Sequence, residues 1–272
     1  MFERLQYKNH INEIIDFGKE GVFVNINALH DYEWKVTSQG NKISKFSRTV
    51  QNRKLPVIIM CGTEEEGIAT RNRLFEVFEK DILAQQHGQI IIGDYYFKCF
   101  VTKSVKSDYQ KSQRYMHLNL TLSTDFPYWI SESRKTFGTS NQTGEGLDYA
   151  TDFAFDYFTD AASTTLQNTA FVPSSFKLMV YGPCSDPTIS IAGHIYQVNC
   201  MVGEGEYLTV DSTTKKIFVT KNDGTVVNCF NSRNRDSYIF TKIPVGTNAV
   251  TWNGDFGFDV IMMEERSEPK WI

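Results

Sequence analysis

Residues 181–200 read Tyr-Gly-Pro-Cys-Ser-Asp-Pro-Thr-Ile-Ser-Ile-Ala-Gly-His-Ile-Tyr-Gln-Val-Asn-Cys. Cys184, Asp186, His194 and Cys200 are ligand and nucleophile residue types gathered in one short stretch. The apolar pattern argues otherwise. Ile189 and Ile191 alternate with polar neighbours, Ala192-Gly193-His194 can turn the chain, and Tyr196, Val198 and Cys200 share one face of a return strand. His194 then sits at the tip and Cys184 at the far end, separated at roughly 3.3 Å per residue. Zinc bonds of about 2.0–2.3 Å cannot span that distance, and a Cys–His nucleophile pair would be equally stretched. The stretch reads as a hairpin, not a site.

The same two-residue period continues on both sides. Phe176–Tyr181, Thr188–Ile191, Ile195–Met201, Glu206–Asp211, Lys216–Thr220, Val226–Phe230, Ser237–Ile243, Asn248–Trp252 and Phe258–Met263 are strand candidates, with Asn222-Asp-Gly as a hairpin turn. Many short strands joined by turn residues indicate an antiparallel sandwich of the jelly-roll kind. Asp148-Tyr-Ala-Thr-Asp-Phe-Ala-Phe-Asp-Tyr-Phe also alternates; a strand would split its acids between two faces, and no turn-rich calcium loop is present.

The first half is β-rich with one helix. Val22, Val24 and Ile26 alternate as in a strand, and Leu55–Cys61 is a compact buried one. Residues 35–54 are polar and basic, forming an exposed hairpin or a loop. Thr63-Glu-Glu-Glu is a capping box opening a helix over 63–87, whose apolar stripe is Ile68, Phe75, Phe78 and Ile82 with Leu74 and Leu83 alongside. Strands follow at 90–101 and 115–122, joined by Lys103–Arg114; His117 falls on the outer face of the second. Residues 131–147 are rich in Ser, Thr and Gly. They read as a linker between a 1–130 domain and a 148–272 domain.

Composition bounds the function. The chain has 272 residues, 41% hydrophobic and 14% aromatic, enough for a real core without staples. Residues 1–130 carry 17 Lys+Arg against 15 Asp+Glu and the remainder 11 against 17, a balance of +2 and −6. Neither half suits nucleic-acid binding by counterion release. No apolar run reaches the roughly 18 residues of a membrane span and no secretory signal opens the chain, so maturation in the cytoplasm without membrane insertion is expected. The five cysteines, Cys61, Cys99, Cys184, Cys200 and Cys229, include no CxxC pair and read as reduced fillers. Glu204 and Glu206 lack a convincing partner pair for glycoside hydrolysis. No phosphate loop, GxSxG or HExxH is present. The residues thus point to a non-enzymatic protein without metal or cofactor.

Phe176-Lys-Leu-Met-Val-Tyr-Gly-Pro, Pro187-Thr-Ile-Ser-Ile, Tyr196-Gln-Val-Asn, Gly205-Glu-Tyr-Leu-Thr-Val-Asp-Ser, Ile243-Pro-Val-Gly-Thr-Asn-Ala-Val-Thr-Trp and Glu265-Arg-Ser-Glu-Pro-Lys-Trp occur in that order. Together with the Arg-Asn-Arg-Leu-Phe-Glu helix and the Ile-Ile-Ile-Gly-Asp-Tyr-Tyr-Phe strand, they resemble the distal tail (Dit) proteins of long, non-contractile-tailed phages and prophages of Gram-positive hosts. The resemblance covers nearly the whole chain. It implies a mainly β (β-rich α+β) protein whose N-terminal β-domain carries one helix and an extended hairpin. The C-terminal domain would be a galectin-like sandwich. It implies a hexameric ring at the distal end of the virion tail, assembled in the host cytoplasm, with DNA passing through its channel without specific binding.

The partners implied are the tail tube protein, the tape measure protein, a tail-associated lysin or hub protein, and a receptor-binding or peripheral baseplate protein. By the same resemblance Lys42, Lys45, Arg48, Arg53, Lys106, Lys111 and Arg114 are candidate ring contacts. A carbohydrate-binding adhesin is the alternative; it would need Trp252, Tyr238 or Tyr207 on an exposed groove of the sandwich. A cell-wall hydrolase acting through Glu204 or Glu206 is a third reading.

Overall fold

The computed structural model describes residues 4–25, 27–107, 112–139 and 164–271. They form two compact units, one of residues 1–131 with 265–272 and one of residues 132–264. The protein is mainly β, with a single α-helix among the described residues.

The first unit contains β1 (Leu5–Lys8), β2 (Ile14–Phe17), β3 (Val22–Val24), β4 (Lys35–Gln39), β5 (Lys42–Ser47), β6 (Gln51–Met60), α1 (Glu64–Ala84), β7 (Gly88–Ile92), β8 (Tyr95–Ser107), β9 (Tyr115–Thr124) and the start of β10 (Trp129–Phe137). All pairings are antiparallel. The first half of β8 pairs with β7 and β10, and its second half with β9 after an irregularity between Val101 and Lys103. One long strand therefore serves two sheets, with the bulge re-aiming it. β6 completes the second sheet between β3 and β9. Leu55, Val57, Ile59, Ile90, Phe97, Leu118, Leu120, Leu122 and Trp129 make the shared core. The interval expected as one strand over 90–101 is two, because Gly93 at positive φ turns the chain between β7 and β8.

The helix begins where the capping box predicts. The Glu66 amide donates to Thr63 Oγ1 at 3.2 Å, and the Thr63 amide donates to Glu66 Oε2 at 3.1 Å. Its buried face differs from the expected stripe: Gly67, Leu74, Val77, Phe78 and Asp81 are inside, while Ile68, Phe75, Ile82 and Leu83 are exposed. Two non-hydrophobic residues set this rotation. A Cβ on Gly67 would lie 2.0 Å from the Gln113 carbonyl oxygen, so only glycine permits that approach. Asp81, fully buried, accepts from the Tyr7 hydroxyl at 2.5 Å and the His10 amide at 2.9 Å, with His10 Nδ1 2.6 Å away.

The second unit holds β11 (Thr165–Asn168), β12 (Ser175–Tyr181), β13 (Cys184–Ser185), β14 (Thr188–Ile191), β15 (His194–Gln197), β16 (Met201–Val202), β17 (Tyr207–Asp211), β18 (Lys216–Thr220), β19 (Val226–Asn228), β20 (Gly246–Trp252) and most of β21 (Phe258–Arg266). β19-β18-β17-β12-β21 form one antiparallel sheet and β11-β20-β14-β15 another. Phe176, Leu178, Val210, Ile217 and Val260 from the first meet Leu166, Ile189, Ile191, Tyr196 and Val250 from the second in one core. The β14–β15 pairing, Ile189↔Tyr196 and Ile191↔His194, is the expected hairpin.

Three expectations need correction. Residues 131–137 are the end of β10, not linker; Phe137 is buried and stacks on Phe258 at 4.7 Å, which a composition count does not reveal. Ser237–Ile243 forms no strand, contributing only the isolated bridge Ser174↔Ile243. Residues 265–271 group with the first unit rather than the second: Arg48 donates to Ser267 Oγ, and Trp271 stacks on His30 at 4.1 Å. The alternating segment 148–158, the remainder of the proposed linker from 140, and Ile26 lie outside the described residues.

Candidate interaction surfaces

The most exposed secondary structure in the first unit is the β4–β5 ribbon. Among the described residues it pairs with no other strand, and every residue of it except Ser47 is exposed. Its register carries a consequence for its faces. Lys35 opposes Ser47, Val36 opposes Phe46 and Thr37 opposes Lys45; after a shift, Ser38 opposes Ile43 and Gln39 opposes Lys42. Directly opposed residues share a face, so Val36, Ile43 and Phe46 point one way and Lys35, Lys42 and Lys45 the other. Without the bulge, Ile43 and Phe46, three residues apart, would face opposite sides. The ribbon is amphipathic, one face apolar and one face cationic.

The candidate contact residues are not equivalent. Lys42, Lys45, Lys106 and Arg114 are exposed. Arg48 is half-buried: its guanidinium lies over Trp34 at 4.2 Å and Tyr128 at 4.5 Å, and it donates to the Pro127 carbonyl. Arg53 is 4% exposed and offers nothing to a partner. It donates to the Leu29 carbonyl and lies over Phe97 at 4.3 Å, and burial pushes its pKa down to about 10. Period-two reading from Leu55, Val57 and Ile59 places Arg53 on the buried face of β6, so the signal was present in the sequence. Lys111 lies outside the described residues.

The sandwich aromatics do not form a platform. Trp252 is half-buried, its Nε1 donating to the Phe256 carbonyl at 3.1 Å and its ring packed edge-on against Phe258. Tyr207 sits on β17 of the other sheet, and Tyr238 lies in the loop before β20, 62% exposed with Lys215 Nζ 5.5 Å from its ring. Glu206 turns back to accept from the Gly203 amide at 3.0 Å, and the Glu204 carbonyl takes the Asn222 side chain at 2.8 Å. The Glu206 carboxylate is thus committed to turn geometry, while Glu204 contributes its backbone.

The thiols separate from the histidine as the hairpin predicts. His194 Nε2 lies 3.0 Å from the Tyr238 carbonyl and 3.2 Å from Ser237 Oγ. Cys184, Cys200 and Cys229 instead pack on the sandwich core, a grouping with Cys229 that sequence spacing did not show. Burial pushes Cys184 up to about 11 and Cys200 up to about 12, so both stay as inert thiols near neutral pH. Among the described residues, no group of three His, Cys, Asp or Glu side chains is placed to hold a metal ion. None of the described helices is long and apolar enough to cross a membrane.

No protein-family model matches the sequence, and no curated protein is similar to it at a significant level. Solved structures do match. The SPP1 Dit protein, described as a paradigm of the hub adsorption apparatus in phages infecting Gram-positive hosts, is similar with a TM-score of 0.60 at 10% identity, over 97% of this chain and 99% of that one. A chain of the phage P2 baseplate in its activated conformation matches with a TM-score of 0.67 at 12% identity, over 99% and 100%, in both its calcium and strontium structures. Over nearly the whole of its length, this chain is similar in fold to solved phage hub and baseplate proteins.

Proposed function

We infer that this chain is a structural protein of a phage tail tip. Its first unit forms a hexameric ring that continues the tail tube, and its second unit displays the host-adsorption apparatus. The observation that carries this is the likeness to hub and baseplate proteins over essentially the full length of both chains, with both units matched rather than one common sandwich. The chemistry agrees. The first unit is close to neutral and the second acidic, so a channel built from this chain would not hold DNA by phosphate contacts. The thiols pack on the sandwich core, and His194 and Glu206 are held by loop and turn contacts. Partners in this reading are further copies of the chain, the tail tube protein, the tape measure protein, the tail-associated lysin, and a peripheral or receptor-binding protein on the sandwich. The test is electron microscopy and native mass spectrometry of the full chain, alone and co-expressed with its tail tube protein. Six-fold rings are expected. A chain that stays monomeric in both settings would overturn the reading.

A further inference from the structure

We propose that Cys200 and Cys229 form a latent disulfide of the second unit, closed by thiol–disulfide exchange with a small-molecule disulfide such as oxidised glutathione. The fold brings the two together from distant parts of the sequence. Residues 198–200 run beside 229–233: Val198 bridges Arg233, the Asn199 amide donates to the Ser232 carbonyl at 2.7 Å, and the Ser232 amide donates to the Cys229 carbonyl at 3.0 Å. Cys229 is tied to β18, its amide donating to the Ile217 carbonyl at 2.9 Å. On the other side, the Asp186 amide donates to the Cys200 carbonyl at 3.0 Å. With both backbones fixed, the Cys200 and Cys229 thiols meet in a hydrogen bond. From that contact an S–S bond of about 2.05 Å asks for side-chain rotation rather than backbone travel. Cys184 is the competitor. It opposes Val202 in the β13–β16 pairing, two residues along from Cys200, and among the described residues it makes no hydrogen bond to Cys200. Cys61 and Cys99 belong to the first unit.

The exchange consumes one small disulfide. Cys200, partly exposed, attacks one of its sulfurs as the thiolate; the small S–S bond breaks and one small thiolate leaves. Cys229 is 8% exposed, too enclosed to meet a bulky reagent first. It loses its proton and attacks the Cys200 sulfur of the mixed disulfide, expelling the second small thiolate. The two protons lost by the protein end on the two small thiols, so two protein thiols and one small disulfide become one protein disulfide and two small thiols. The protein is oxidised by two electrons and the reagent reduced by two. Burial makes the reaction slow without opposing its product. It pushes Cys200 up to about 12 and keeps the attacking thiolate scarce near neutral pH, whereas a disulfide has no charge to bury. The new bond closes a loop over residues 201–228, which hold β16, β17, β18 and β19. A reducing cytoplasm keeps the pair open and an oxidising medium closes it. The phage reading gives this bond its setting, a second unit that stiffens after the particle leaves the cell; the chemistry does not depend on it.

The experiment takes the full chain, purified reduced and freed of reductant, and incubates it with oxidised glutathione. Free thiols are then blocked and the unreduced digest is read by mass spectrometry. The expected product links the Cys200 peptide to the Cys229 peptide with the loss of two hydrogens, while Cys61, Cys99 and Cys184 stay available to alkylation in the unfolded chain. Its rate should climb about tenfold per pH unit between about pH 7 and 9, and dithiothreitol should reverse it. The melting temperature of the second unit should rise on the order of 10 °C when the bond closes. Cys229→Ser should stop at a glutathione adduct on Cys200, and Cys184→Ser should close the bond as the unaltered chain does. The peptide map of the unaltered chain decides the matter even if Cys229→Ser fails to fold. A Cys184–Cys200 link, a glutathione adduct that persists on Cys200 of the unaltered chain, or no reaction at about pH 9 overturns the proposal. Each of those outcomes leaves the phage reading standing, because the assay requires no ring. A chain that closes the bond yet never forms rings with its tail tube protein overturns that reading and keeps the bond.

Discussion

The buried Asp81 node gives the sharpest test of how α1 is held. Tyr7→Phe removes one hydroxyl and keeps the ring, so the edge-on contact with Phe78 at 4.9 Å survives. What is lost is the 2.5 Å bond to a fully buried carboxylate, which keeps the His10 amide and ring nitrogen. A hydrogen bond to a charged group contributes about 1.5–3 kcal/mol, and stranding part of a buried acceptor moves the cost toward the upper end. With a urea slope of about 1–3 kcal/mol/M, the midpoint of the first unit should fall by roughly 1 M. Trp34, Trp129 and Trp271 lie in that unit and only Trp252 lies in the other, so tryptophan fluorescence reads the right transition. Asp81→Asn completes a double-mutant cycle, and Tyr7→Phe should cost clearly less in that background. A midpoint change below about 0.3 M at unchanged slope, or full additivity in the cycle, would refute the claim that this carboxylate anchors the helix.

Gly67→Ala should destabilise the first unit by about 1–3 kcal/mol, read in the same urea assay, because the new methyl meets the backbone oxygen of Gln113 rather than a movable side chain. Arg53→Ala should cost about 2–4 kcal/mol through lost packing and its carbonyl contact, whereas Lys45→Ala should stay within about 0.5 kcal/mol; equal effects would contradict their assigned burial. Burial raises Tyr7, Cys184 and Cys200 above their ordinary values in the folded chain. Their contribution is therefore complete below the unfolded values and is lost as pH climbs from about 9 toward 12. Urea midpoints taken across that window should decline steadily, and a flat profile would contradict the burial. Trp252→Ala should lower the melting temperature of the second unit, since the ring packs on Phe258 and Phe137; an unchanged transition would mean that the indole is a surface feature.

Sequence and structure agree best on devices that are complete within a few residues. The β14–β15 hairpin, the turn at Asn222-Asp223-Gly224 and the Thr63 capping box are local devices, each complete within a few residues. The rotation of α1 was not local. Hydrophobicity pointed to Ile68, Phe75 and Ile82, but the helix is turned by a glycine that lets the Gln113 backbone approach and by an aspartate paired with Tyr7 and His10 more than seventy residues away. Neither registers as apolar. The same limit explains the basic candidates: Lys42 and Arg53 look alike in composition, and only strand register separates an exposed ribbon from the inner face of β6. Of the apolar stripe read from the sequence, Leu74 and Phe78 are buried while Ile68, Phe75, Ile82 and Leu83 face outward, so hydrophobic spacing alone did not mark the packed side.

The return of residues 265–271 to the first unit has a consequence for synthesis. A chain emerging N-terminus first usually folds unit by unit, at about 5–20 residues per second. Here the first unit receives its last pieces, Ser267 against Arg48 and Trp271 against His30, only after all of the second has been made. Those contacts form only after residues 132–264 have been made, so a chain that stops within them lacks the contacts even when residues 1–131 are intact. A particle built from copies of this chain would thereby discriminate against truncation: a copy that stops before residue 265 presents an incomplete first unit to its neighbours.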